Sequence, residues 1–119
     1  MATILVVEDD RDTREMLGLF LQLEGFTVRT AENGRAALDV LGREGACVIV
    51  LDLMMPVMNG WEFRHVQASD PRLSRIPVVV VTAAGRREQI PAIDAHAWLP
   101  KPVDLDRLLE TIQPLCARV

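Results

Sequence analysis

Residues 48–60 read Val48-Ile49-Val50-Leu51-Asp52-Leu53-Met54-Met55-Pro56-Val57-Met58-Asn59-Gly60, and the reading of this stretch decides the fold. An unbroken run of branched apolar residues suits a strand covered on both faces, because a strand with one wet face alternates apolar with polar. The run ends on an acid, Asp52. It then crosses Pro56 and reaches Gly60, where a helical pattern takes over. Buried strand, loop and helix in that order make one unit of a parallel α/β sheet.

The same alternation extends in both directions. β-branched runs occur at Thr3–Val7, Thr27–Ala31, Cys47–Leu51, Pro77–Thr82 and, more weakly, Ala97–Leu99. Helical periodicity occupies Asp12–Leu23, Gly34–Arg43, Gly60–Gln67 and Val103–Leu115. In the first of these, Met16, Leu17, Phe20, Leu21 and Leu23 form a broad apolar stripe. Asp12 followed by Glu15 resembles a capping box, and Gly25 suits a helix stop. Pro102 and Asp104 fit the entry to the last helix, and Pro114 should end or kink it. Such alternation implies right-handed βαβ units. Five of them account for the 119 residues as one domain, 1–119. The expected class is α/β: a five-stranded parallel sheet, doubly wound, with helices on both faces.

Composition narrows the function. The net charge is −4, without a Lys/Arg run, which argues against direct nucleic-acid binding. Aromatics are only 4% of the residues, so the core must be aliphatic. No apolar stretch has the length of a membrane span, and the N-terminus lacks the pattern of a signal peptide. A cytoplasmic protein is expected. Cys47 and Cys116 suggest neither a disulfide framework nor a metal cluster, and read as plain structural residues.

Ligands of an open α/β sheet collect beyond the carboxyl ends of its strands. Glu8, Asp9 and Asp10 follow the first strand, Asp52 the third, Thr82 closes the fourth and Lys101 follows the fifth. Each alone has an ordinary explanation: a helix cap for Asp10 or Asp12, a strand residue for Thr82, a solvated charge for Lys101. Together they converge on one edge. Clustered carboxylates need a counter-charge, and hard oxygen ligands favour Mg²⁺. A lysine and a hydroxyl beside them can hold a tetrahedral anion, and a carboxylate can accept a phosphoryl group covalently.

From Ile4 to about Leu115 the chain resembles the receiver domains of two-component response regulators, the CheY-like superfamily. Four segments carry the resemblance: Ile4–Asp10, Val50–Gly60, Pro77–Ala83 and Lys101-Pro102. It implies a flavodoxin-like (βα)5 three-layer sandwich with Asp52 as phosphoacceptor. It implies Mg²⁺, for which Mn²⁺ could substitute, held by Glu8, Asp9, Asp52 and the main-chain carbonyl of Met54. Thr82 and Lys101 would bind the phosphoryl group, Ala83 would leave room for access, and Trp98 would stand at the aromatic switch position. The Lys101-Pro102 bond would be cis. The implied partners are a histidine kinase or phosphotransfer protein and an unidentified downstream protein. The chain would act as an acceptor assisting its own phosphorylation and dephosphorylation rather than as an enzyme.

The stretch between Thr82 and Lys101 departs from the pattern. Gly85 and Pro91 predict a short, distorted or mobile fourth helix there. His65 and His96 read as solvated. Met54 and Ala84, two residues beyond Asp52 and Thr82, cannot orient a water by hydrogen bonding, so slow loss of the phosphoryl group is expected. Two other functions compete. One is a receiver-like scaffold that binds partners without phosphorylation. The other is an aspartyl phosphatase, disfavoured because Met54 stands where a second acid would be needed.

Overall fold

The computed structural model of the chain describes residues 3–83 and 95–116. Its elements are β1 (Thr3–Val7), α1 (Arg11–Leu23), β2 (Thr27–Ala31), α2 (Gly34–Arg43), β3 (Val48–Asp52), α3 (Gly60–Ser69), β4 (Val78–Thr82), β5 (Ala97–Pro100) and α4 (Leu105–Ile112). The strands form one parallel sheet in the order β2-β1-β3-β4-β5. Strand order reverses between β1 and β3, the crevice where such sheets place ligands.

β1, β3 and β4 are buried at every residue, as continuous apolar runs require, whereas the edge strands β2 and β5 are only partly covered. Alternate residues feed two cores. Leu5, Val7, Ile49, Leu51, Val78 and Val80 pack with Ala37, Leu41 and Phe63 of α2 and α3. Ile4, Val6, Val48, Val50, Val79 and Val81 pack with Leu17, Leu21, Leu108 and Ile112 of α1 and α4. The result is the expected doubly wound three-layer sandwich. None of the described helices is long and apolar enough to cross a membrane.

Several local expectations change. The N-cap of α1 is Asp10 rather than Asp12: its carboxylate accepts from the Thr13 amide at 2.9 Å and the Thr13 hydroxyl at 2.6 Å. Those bonds hold the Asp10 carboxyl below its usual pKa. The apolar stripe of α1 is narrower than expected. Leu17, Gly18 and Leu21 are buried, while Met16 and Leu23 stay exposed beside Leu19. Gly25, with φ of 97°, takes the left-handed conformation that stops α1. Helix α4 ends at Ile112, before Pro114. Both His65 and His96 are exposed. The expected short or distorted helix between β4 and β5 lies outside the described residues, as does Ala84.

The reading of the cysteines as separate residues is overturned. Cys47, just before β3, and Cys116, just after α4, are joined in a disulfide, with their Cα atoms 5.5 Å apart. Packing of α4 on β3 brings them together across a sequence separation of 69, a distance over which spacing carries no pairing signal.

Candidate functional site

The carboxyl ends of β1, β3, β4 and β5 meet at one edge, and each delivers a polar group there. Glu8 continues the line of β1, its amide donating to the Ala31 carbonyl at 3.0 Å. Its side chain is only 2% exposed, whereas that of Asp9 faces solvent. Arg14 of α1 donates to the Glu8 carbonyl at 2.9 Å and the Asp9 carbonyl at 3.3 Å, which fixes the turn bearing both acids. Asp52 is the last residue of β3 rather than the first beyond it, in register with Val81, and is 4% exposed. Carboxylate oxygens of Glu8, Asp9 and Asp52 lie within 4.8 Å of one another.

Lys101 reaches this cluster from the far side of the sheet. Its amide donates to the Thr82 carbonyl at 3.0 Å, extending the β4–β5 ladder by one step. The ammonium donates to Glu8 Oε1 at 2.5 Å and stands 3.5 Å from Asp52 Oδ2. Burial pushes the Glu8 pKa up and the Asp52 carboxylate pushes it further, against an opposing pull from Lys101. Burial would lower the pKa of Lys101, but its hydrogen bond to Glu8 and the Asp52 and Glu8 charges outweigh that and raise it. One ammonium therefore faces three carboxylates. Glu8 Oε2 is buried with no hydrogen-bond partner, and Glu8 belongs to an all-oxygen cluster with Asp9 and Asp52. This donor set fits a hard divalent cation such as Mg²⁺.

The loop from β3 to α3 holds Asp52 from behind. A Cβ on Gly60 would stand 2.7 Å from Leu53 Cα and 2.9 Å from the Asp52 carbonyl oxygen, so α3 can start this close to the acid only with glycine there. Asn59 and Glu62 close a capping box around the helix start, with bonds of 2.9 and 3.0 Å. The amide of Met54 donates to Asp52 Oδ1 at 3.3 Å. Alongside lies an open cleft of about 350 Å³, lined by Asp9, Leu53, Met54, Met55, Pro56, Asn59 and Trp61.

Val57, at the tip of this loop, has φ of 67° and is 81% exposed. A β-branched residue there is strained by about 1–2 kcal/mol, whereas asparagine tolerates the left-handed region. Val57→Asn should therefore raise unfolding stability by about 1 kcal/mol in urea titration. A neutral or destabilising result would mean that the loop relaxes its backbone once Val57 is replaced.

Comparison with known proteins agrees with this fold. A sequence profile described as the response regulator receiver domain matches residues 4–113. The chain belongs to the response regulator receiver domain family. It is 39% identical over 119 residues to the response regulator MprA of Mycolicibacterium vanbaalenii, covering 97% of this chain and 50% of that protein. It is 37% identical to an uncharacterized 14.6 kDa protein of Leptolyngbya boryana, covering 95% of this chain and 88% of that one. The receiver domain thus spans about half the length of the MprA relatives it matches. Among solved structures it resembles the chemotaxis protein CheY4 of Vibrio cholerae, with a TM-score of 0.87, 34% identity and coverage of 98% and 99% of the two chains.

In this receiver domain Glu8, Asp9, Asp52, Thr82 and Lys101 all arrive at one sheet edge. Thr82 closes β4 in register with Pro100 and is 9% exposed. Ala83 follows it and is exposed. Trp98, on β5 in register with Val80, is partly buried against the core that contains Phe63. The Lys101-Pro102 bond is cis. Two contributors escaped the sequence reading: Asn59, whose Asn-x-x-Glu spacing signals a capping box, and Trp61, whose place in the cleft had no local signal.

Proposed function

We propose that this chain is a phosphorylatable signalling switch: Asp52 accepts a phosphoryl group from a partner histidine kinase or phosphotransfer protein in the cytoplasm. The observation carrying this reading is the nearly buried Asp52 carboxylate, placed at the sheet edge between two further carboxylates and the Lys101 ammonium. Burial without full charge compensation suits a group destined to bond to an electrophile and a cation.

In the reaction, an Asp52 carboxylate oxygen forms a bond to phosphorus as the bond from phosphorus to the donor nitrogen breaks, and that nitrogen keeps the electron pair. Glu8, Asp9, Asp52 and the Met54 carbonyl would hold Mg²⁺, which supplies charge neutralisation at the equatorial oxygens. Lys101 adds a second cation and shifts its contact from Glu8 towards the phosphoryl oxygens. Thr82 offers its hydroxyl to the same oxygens from the end of β4. New charge of about −1.5 to −2 at this edge biases β4, β5 and Trp98 towards the arrangement that a downstream protein reads. The chain turns over no substrate of its own; it assists its own phosphorylation and dephosphorylation.

The direct test is incubation with acetyl phosphate, with and without Mg²⁺, read by intact mass. A phosphoryl adduct only in the presence of Mg²⁺ supports the switch. No adduct, with Mg²⁺ shown to bind, would favour a protein-binding scaffold.

The lifetime of the adduct is a separate expectation. Met54 is 57% exposed beside Asp52 and offers no side-chain hydrogen bond to an attacking water. Met54→Asn should shorten the half-life of the phosphorylated form by roughly tenfold, since positioning a reactant contributes on that scale or more. An unchanged decay rate would remove Met54 from control of hydrolysis.

A further inference from the structure

We propose that Cys47 and Cys116 form a reversible redox-modification site whose oxidant is a small-molecule disulfide of the glutathione class. The pair lies at the amino edge of the sheet, the end of β3 remote from Asp52. Cys116 is 6% exposed and Cys47 is half-buried, so exchange begins at the Cys47 sulfur.

Both oxidation states have a place in the fold. The Cα separation of 5.5 Å lies within the range a disulfide requires. In the bridged structure Cys47 Sγ lies 3.4 Å from the Thr3 carbonyl oxygen, which places an acceptor within reach of the S–H that reduction would create. Helix α4 does not need the bridge to stay docked, because Leu108 and Ile112, two turns and one turn before Cys116, are completely buried in the same core cluster. What the bridge holds is the last turn, Gln113–Cys116, where the Cys116 amide already donates to the Ile112 carbonyl at 3.1 Å. Oxidation locks this turn to the start of β3; reduction releases it.

The exchange balances in two steps. The Cys47 thiolate attacks one sulfur of the small disulfide, forming a mixed disulfide and expelling a thiolate. The Cys116 thiolate then attacks the Cys47 sulfur and expels the second small thiolate. The cysteine pair loses two electrons, one disulfide is reduced to two thiols, and the protons of the cysteines end on those thiols.

The test equilibrates the full chain in graded mixtures of reduced and oxidised glutathione, approached from both directions. It is quenched with acid and alkylated, and the free thiols are counted by intact mass. The expected result is one reversible conversion between dithiol and disulfide inside the graded range, abolished in Cys47→Ser and in Cys116→Ser. The backbone amides of Gln113, Leu115 and Cys116, which close that last turn, should exchange about tenfold more slowly in the disulfide form. A pair that stays oxidised in the most reducing mixture would be a fixed staple and would overturn the proposal. So would a pair that never closes, one that stops at the mixed disulfide, or equal amide exchange in the two forms.

Discussion

Asp52→Asn is expected to take up no phosphoryl group from acetyl phosphate under conditions that label the wild type, with intact mass as the readout. The substitution keeps the shape of the side chain and removes its nucleophilic oxygen charge, so the loss should be total. The fold should survive. Asp52 is nearly buried, within 4.8 Å of oxygens from Glu8 and Asp9, and its carboxylate is one of the causes raising the Glu8 pKa. Neutralising it relieves that like-charge contact, and Glu8 keeps Lys101 as its partner, so urea stability should be no lower than wild type. A labelled Asp52→Asn protein would move the acceptor to another carboxylate of the cluster and would sink the assignment.

Lys101→Met is expected to lower stability by about 3 kcal/mol in metal-free buffer, because it strips the counter-charge from a carboxylate that is 2% exposed. The loss should depend on pH. Burial already raises the Glu8 pKa in the folded state, so the folded chain holds that proton more tightly than the unfolded one. Without Lys101 the upward shift grows. The destabilisation should therefore be small near the usual carboxylate pKa and deepen as pH rises through the folded value. Adding Glu8→Gln should recover part of the loss, since the most deeply buried charge is then gone while Asp52, 3.5 Å from the ammonium in the wild type, still lacks its counter-charge. Denaturant titration of the single and double variants across pH settles the matter. A single variant as stable as wild type at neutral pH, or no recovery in the double variant, would show that the pair contributes little.

Much of the architecture was legible because its signals are local. The apolar runs at Val48–Leu51 and Val78–Val81 admit little but buried strands, and β1, β3 and β4 are buried at every residue. The site was legible for a related reason. An acid, a threonine and a lysine stand out where each apolar run ends, and parallel strands bring those ends to one edge. Legibility failed where the outcome depended on competition or distance. Asp10 and Asp12 are both plausible caps, and only the hydrogen bonds to Thr13 select Asp10. Met16 and Leu23 belong to an apolar stripe, yet α1 meets the sheet through Leu17, Gly18 and Leu21, so the stripe is wider than its contact. The pairing of Cys47 with Cys116 depends on how α4 lies across the sheet, which no window of sequence contains.

That pairing also changes what the chain is as a covalent object. In the oxidised protein the segment from Cys47 to Cys116 is a closed ring, and Asp52, Thr82 and Lys101 are all members of it. Glu8 and Asp9 sit on the arm outside. A protease that cuts once inside the ring opens it without releasing a fragment: the product runs as a single species until a reductant separates the pieces. A cut in the arm between Asp9 and Cys47 instead frees the acid pair's strand from the acceptor at once. Nicking followed by gels with and without reductant therefore sorts cuts by the side of Cys47 on which they fall.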